Sequence, residues 1–283
     1  MKVSLVFSVC LAGAIALPRN DINKKNVKLF EKEEFLRLER RIVGGEIATP
    51  KQFPYQVGIR TNKIKGIYVW TSWCGGALIS DQFVLTAAHC LDNTVSAVLY
   101  LGSHNRNASF EMTREMFQVK KENFIMHEKY DPIIIEPDIG LIRLPKKVEL
   151  NEYINIVKLP KAGQLHLVGR VAVASGWGKT GDKEPTSDVL RFVYRKILDN
   201  NVCKKFFGLI LKTQLCVEGS DRKTTCQGDS GGPLIIEESD GSKVVVGLTS
   251  FGRPTCEQGF PVVFTRVNVL LKWINKHTGI SIK

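Results

Sequence analysis

The sequence lacks most marks of a non-globular chain. It has no internal repeat, no low-complexity tract and no Gly/Ser/Pro-rich linker, which excludes collagenous and mainly disordered proteins. Only one stretch is continuously apolar, Val3 to Leu17, so a multi-pass membrane protein is excluded too. No Cys-x-x-Cys pair occurs, which leaves metal binding by cysteine a poor reading. Acidic residues are in deficit, 28 against 40 Lys and Arg, for a net +12 over 283 residues. The basic pairs Lys120-Lys121, Lys146-Lys147, Lys204-Lys205 and Arg222-Lys223 are scattered without interleaved aromatics. That charge reads as solvated surface, with no nucleic-acid partner expected.

The single apolar run sets the compartment. Met1-Lys2 precedes it, it is too short to span a bilayer, and Ala14-Ile15-Ala16 supplies a small-x-small cleavage pattern. Residues 1–16 therefore read as a secretory signal, and the mature protein as extracellular with no membrane anchor. Removing the signal takes Cys10 and leaves Cys74, Cys90, Cys203, Cys216, Cys226 and Cys256. An even count in an oxidising compartment fits a disulfide framework, although spacing alone leaves every pairing open. Residues 17–41 hold eight basic and five acidic residues and no cysteine. They read as a solvated leader, with a short amphipathic helix over 27–38 as the alternative.

From Ile42 onward, β-branched or alternating runs recur at 54–60, 67–73, 96–101, 139–144, 171–175, 189–197, 234–237, 244–249 and 262–267, punctuated by Gly, Pro, Asn and Asp. This is the pattern of an all-β barrel or sandwich. One helix stands out at the C-terminus, where Val267, Leu270, Leu271 and Ile274 share a face and Gly279 follows the last turn. A boundary between two halves falls near 149–163.

Three islands carry chemistry: Thr86-Ala87-Ala88-His89-Cys90, Asp138-Ile139-Gly140-Leu141-Ile142 and Gly228-Asp229-Ser230-Gly231-Gly232-Pro233. A serine hydroxyl is a weak nucleophile at neutral pH. It needs a base, and the base needs an acceptor to hold its tautomer. His89, Asp138 and Ser230 supply these types. Each alone is weak, since a lone His is commonly structural and Gly-Asp-Ser-Gly can be a plain tight turn. In the order His, Asp, Ser, and together with Ile42-Val43-Gly44-Gly45, Phe53-Pro54-Tyr55-Gln56-Val57, Cys74-Gly75-Gly76-Ala77-Leu78-Ile79, Ser175-Gly176-Trp177-Gly178, Ser250-Phe251-Gly252 and Phe264-Thr265-Arg266-Val267, they resemble the trypsin/chymotrypsin family of serine endopeptidases, arthropod chymotrypsin-like and elastase-like enzymes among them.

The resemblance implies an all-β fold of two packed antiparallel six-stranded β-barrels, about 42–155 and about 156–266, with a C-terminal α-helix at about 267–278. It implies catalysis by His89, Asp138 and Ser230, with an oxyanion hole from the N–H groups of Gly228 and Ser230, and no cofactor or metal. It implies a zymogen: an activating protease cuts after Arg41, and the new ammonium of Ile42 pairs with Asp229. The implied disulfides are Cys74–Cys90, Cys203–Cys216 and Cys226–Cys256. The implied pocket is Thr224, Thr225, Ser250, Gly252 and Val262. Thr224 stands at its base where trypsin-like members have Asp, so neutral P1 residues are expected, small or medium apolar before aromatic. Arg253 near the pocket would favour acidic substrate residues. Gly102-Ser103-His104-Asn105 lacks the carboxylate of a family calcium loop, so calcium is not expected. Asn107-Ala108-Ser109 is a candidate glycosylation sequon. Partners are protein or peptide substrates and protein protease inhibitors, for a monomer in a digestive role. The competing classes are a catalytically silent binding protein on the same fold, which would not react with a fluorophosphonate, and a regulatory cascade protease. The cysteine-free leader speaks against the latter.

Overall fold

A computed structural model describes residues 43–163 and 166–282. The expected signal (1–16) and leader (17–41), with Arg41 and Ile42, lie outside the described residues. Seven strands form one antiparallel sheet: β2 (Gln56–Lys65), β3 (Tyr68–Leu78), β4 (Phe83–Thr86), β5 (Thr94–Leu101), β6 (Glu115–Lys120), β7 (Phe124–Met126) and β8 (Gly140–Arg143), in the order β6-β5-β2-β3-β4-β8-β7. It curls around a core of Val57, Ile59, Leu78, Leu99, Phe117 and Ile142. Among the described residues its edge strands β6 and β7 do not pair, so this half is a curled sheet rather than a closed ring.

The second sheet closes. β9 (Val171–Gly176), β10 (Arg191–Leu198), β11 (Gln214–Val217), β12 (Pro233–Glu237), β13 (Lys243–Phe251) and β14 (Val262–Arg266) form a ring of six, because β9 pairs with both β12 and β10. The short β1 (Glu46–Ile47) joins its rim, with Glu46 opposite Phe192. The chain thus touches the second sheet before it builds the first. A third apolar cluster lies between the sheets, with Tyr55, Leu85, Trp177, Phe192, Leu248 and Ile274 among its members, and fastens them together.

Among the described residues three α-helices complete the fold: α1 (Ala88–Leu91), α2 (Asn200–Phe207) and α3 (Leu271–Thr278). The terminal helix begins later than its apolar spacing implies. Val267–Val269 form a separate 3-10 turn, and Leu270, at φ −109° and ψ 9°, breaks the helical path before α3 starts. All four spaced residues are nevertheless buried, and Gly279 ends the helix in the left-handed conformation at φ 72°. Helix α2 was not expected. Its signals are present in the sequence: the Asp199 side chain accepts the N–H of Asn201, Gly208 follows the last turn, and Val202, Cys203, Phe206 and Phe207 share a face, but at eight residues the stripe spans little more than two turns and only Cys203 is fully buried.

Candidate active site

Helix α1 follows directly on β4 and holds His89 at the junction of the two sheets. The Cys74–Cys90 disulfide ties this turn to β3. Asp138 stands just before β8 and is 1% exposed. Its Oδ2 accepts from His89 Nδ1 at 2.8 Å and from Ser250 Oγ at 2.6 Å, and its Oδ1 accepts the His89 backbone N–H at 2.9 Å. Its backbone carbonyl accepts from Thr265 Oγ1 of β14 at 2.6 Å, so the second sheet grips it as well. Burial alone would push this carboxyl up. The charge of His89 and the hydrogen bonds from His89 and Ser250 outweigh it and hold the group below its ordinary value, ionised. A carboxylate at Nδ1 requires the hydrogen there, which leaves Nε2 as the basic nitrogen.

Ser230 sits in the turn between Cys226 and β12. Its carbonyl accepts the N–H of Gly75 at 2.7 Å, which sets the turn against β3. Cys90 Sγ lies 3.5 Å from that carbonyl oxygen and 3.8 Å from His89 Nε2, so serine and imidazole share one corner. Among the described residues Ser230 Oγ makes no hydrogen bond to Nε2, a contact that in this chemistry tightens when substrate binds. Around it the neighbouring N–H groups are spent: Asp229 on Cys226, Gly231 on Thr249, Gly232 on Asp229. Those of Gly228 and Ser230 have no acceptor among the described residues. Gly228 lies at φ +99°, a conformation that side chains rarely adopt, and Gly231 has no room for a Cβ beside Thr86 and Gly75. A serine hydroxyl, a basic nitrogen and two unspent donors are the parts of an acyl-transfer site.

Beside Ser230 opens a cleft of about 270 Å³, with Thr224 and Thr225 buried in its wall and Gly252 and Val262 lining it. Cys226–Cys256 bridges two of its walls, while Cys203–Cys216 ties α2 to β11. Val262 faces Gly252: a Cβ built on the glycine would meet it at 3.5 Å, so the valine narrows the slot there. The hydroxyl of Thr225 has no partner among the described residues. Ser250 and Arg253 also line the cleft, and each has a tie beyond it. The Ser250 hydroxyl is turned to Asp138. The Arg253 guanidinium donates to the Phe206 carbonyl at 2.8 Å and lies over the Phe260 and Phe207 rings, a clamp between α2 and the pocket wall. Asn107 is exposed, and its Nδ2 donates to Asp188 at 2.5 Å.

Asp229 is fully buried. It accepts the N–H groups of Gly178 at 2.7 Å and Cys226 at 2.9 Å. Burial pushes its carboxyl up to about 6 despite those two bonds.

One residue of the site was missed in the sequence, although it stands in phase with Val57, Ile59 and Thr61. Lys63 of β2 is 8% exposed, and its Nζ donates to the carbonyls of His89 (2.9 Å) and Asp92 (2.8 Å), capping α1 with a charge. Burial lowers its pKa while Asp92 raises it. Lys63→Met leaves both carbonyls unpaired. It is expected to cost about 1–3 kcal/mol in thermal unfolding and to lower kcat more than it changes KM, with Lys63→Arg restoring part of both.

A closed β-barrel packed on a curled sheet, with imidazole, carboxylate and serine gathered where they meet, is the layout of a β-barrel hydrolase. Comparison with known proteins gives the family. The trypsin family matches residues 42–274. The chain is 36% identical to a chymotrypsin of Phaedon cochleariae across 98% of both chains, and 38% identical to brachyurin of Leptuca pugilator, covering 85% of this chain and 100% of that one. A solved collagenase structure superposes with a TM-score of 0.75 at 33% identity, over 85% of this chain and 100% of that one. The chain belongs to the trypsin family and is a serine endopeptidase.

Proposed function

We propose that His89, Asp138 and Ser230 act as a catalytic triad on neutral P1 residues. Ser230 Oγ attacks the peptide carbonyl carbon while its proton passes to His89 Nε2. The N–H groups of Gly228 and Ser230 receive the developing oxyanion. The C–N bond then breaks, and His89 hands the proton to the departing amine. Water, deprotonated by the same nitrogen, releases the acyl group and restores the serine. Asp138 orients the ring and compensates the imidazolium. The observation that carries this reading is its carboxylate, sealed from water and engaged by both the backbone and ring N–H of one histidine.

The preference for neutral side chains follows from the pocket. Neither Thr224 nor Thr225 can compensate a desolvated Lys or Arg, and Val262 takes space a large ring would need. A peptide series differing only at P1 tests this: kcat/KM is expected to be higher for Ala and Leu than for Phe, and lowest for Arg. Val262→Gly should raise the Phe-to-Ala ratio about tenfold or more. A strong preference for Arg would overturn the reading.

We further read the chain as a secreted zymogen: a protease cuts after Arg41 and frees Ile42 to meet Asp229, giving a monomeric digestive enzyme open to protein inhibitors. Digestion is favoured over a regulatory cascade because the leader has no cysteine to tether it. Glu111, the one acid between Gly102 and Arg114, is engaged by Ser103, by the main chain of His104 and Asn105 and by the Arg114 guanidinium, an internal compensation that supports a loop independent of calcium. Asn107 is proposed as a glycosylation site on its exposure and sequon.

A further inference from the structure

The loop between β5 and β6 crosses from the first sheet to the loop between β9 and β10 of the second, and it is fastened there residue by residue. Trp177 Nε1 and the N–H of Leu190 both donate to the His104 carbonyl, at 3.0 and 2.8 Å. Asn105 makes an antiparallel bridge with Val189. The N–H of Arg106 donates to the Asp188 carbonyl at 2.8 Å, and Asn107 Nδ2 meets the Asp188 carboxylate. The Arg106 side chain carries the tie further back along that loop. Its Nε donates to the Ser187 carbonyl at 2.8 Å, and its Nη2 donates to Thr186 Oγ1 at 2.6 Å and lies 3.5 Å from the Thr186 carbonyl. The guanidinium sits over the Trp73 ring at 5.0 Å, and Trp177 packs against that ring edge to face.

Thr186 and Ser187 form one side of a hairpin that reaches the turn of the nucleophile. Thr186 bridges antiparallel to Lys179, and the N–H of Ser187 donates to the Gly178 carbonyl at 3.0 Å. From the other side of the hairpin, the N–H of Lys179 donates to the Gln227 carbonyl at 2.8 Å and that of Gly178 to Asp229 Oδ1 at 2.7 Å. These two acceptors flank Gly228. Gly228 itself is pressed against the hairpin, since a Cβ there would stand 3.1 Å from both the Thr186 methyl and the Gly178 Cα. Arg106 therefore grips the residue that backs the Gly228 peptide. A planar fork on two acceptors fixes Thr186 in orientation as well as in place, which a single ammonium contact does not.

We propose that Arg106 is a positioning residue for catalysis: it locks the 178–187 hairpin against the turn and so sets the Gly228 N–H where the oxyanion forms. The inference rests on the reading of Gly228 and Ser230 as the oxyanion donors. A displaced donor loses most where charge has developed, in the transition state, and little in the ground-state complex. Loss of the Arg106 fork should thus fall on kcat and not on KM.

The test uses the activated enzyme, a short peptide substrate and two ligands with the same peptide portion, a trifluoromethyl ketone and the matching alcohol. The ketone carbon takes Ser230 Oγ, the hydroxyl proton passes to His89 Nε2, and the former carbonyl oxygen becomes an oxyanion; the alcohol binds without reacting. The wild type should hold the ketone at least about 10²-fold more tightly than the alcohol. Arg106→Met should lower kcat about tenfold, part of the about 10²–10³ that a whole donor is worth, and weaken the ketone by the same factor with KM and alcohol binding unchanged. Arg106→Lys, able to meet one acceptor, should recover part of both losses. Arg170→Met, which removes guanidinium contacts to Glu237 and Glu238 at the end of β12 away from Ser230, should change neither. If Arg106→Met does not fold, Thr186→Val carries the same comparison in the same direction, because it removes the hydroxyl at the fork and keeps a methyl toward Gly228. A wild type that does not favour the ketone sinks the oxyanion reading and this inference with it. A wild type that does, with a variant that keeps both kcat and the ketone advantage or that loses ketone and alcohol equally, overturns the positioning role alone.

Discussion

Ser230→Ala in the activated chain is expected to lower kcat on a peptide substrate by about 10⁶-fold and to leave binding of a competitive peptide inhibitor unchanged. Without Oγ there is no acyl-enzyme, and what survives is the contribution of the oxyanion donors and of substrate binding, worth about 10³–10⁴ over water in Ser-His-Asp hydrolases. Labelling by a fluorophosphonate should vanish with it. Asp138→Asn should cost about 10⁴-fold. Its carboxylate receives three donors, the His89 backbone N–H, the His89 ring N–H and the Ser250 hydroxyl. An amide must turn a donor of its own toward one of them, and the ring answers by moving its hydrogen to Nε2, where it can no longer take a proton from serine. Activity of the Ala variant within tenfold of the wild type would remove Ser230 from the role and return the chain to the binding-protein class.

The parts of this site were legible because each is written locally. A Gly that must adopt positive φ, a His after two small residues and an Asp before a β-branched strand are short motifs, and β9, β12, β13 and β14 overlap the apolar runs at 171–175, 234–237, 244–249 and 262–267 to within two residues at each end. What stayed hidden depends on partners far along the chain. Ser250 lines the cleft, but nothing local shows that its hydroxyl also bonds Asp138 from 112 residues away. Lys63 lies beyond the 54–60 run read from the sequence; carried on, the alternation places it on the inward face with Val57, Ile59 and Thr61, where a lysine is not expected and the packing of β2 against α1 buries it. β11 is four residues long and wholly buried, including Gln214, so neither length nor alternation exposed it. Arg253 carries no sequence mark that its charge is spent on a helix end and two rings.

The uncleaved chain, held as Arg41→Gln, is expected to lose stability as pH rises from 4 to 7, and the activated enzyme is not. Asp229 drives the difference. Its folded value of about 6 stands above the model-peptide value of 3.8, so the native state binds this proton more tightly than the unfolded chain does. Stability from the neutral carboxyl is therefore fully present below the unfolded value and lost as pH rises through the folded one, in all about 3 kcal/mol for a group sealed from water. The proposed cleavage changes the sign. Val43 is already docked beside the pocket, 3% exposed, with its carbonyl accepting the N–H of Thr224 at 3.2 Å and its side chain against Cys226 and Cys256. An ammonium on the adjoining Ile42 would meet the buried carboxylate, favour its charged form and turn the same ionisation into a stabilising pair. Because Asp229 adjoins Ser230 and accepts the N–H of Cys226, that pair would also set the turn that carries both proposed oxyanion donors, so the uncleaved chain should be at least about 10²-fold less active. Melting temperatures across this pH range for Arg41→Gln, the activated enzyme and Asp229→Asn in each background decide the matter. The asparagine should flatten the slope of the uncleaved chain and abolish the activity of the cleaved one, while equal slopes before and after cleavage, or full activity without it, would remove Asp229 from the switch.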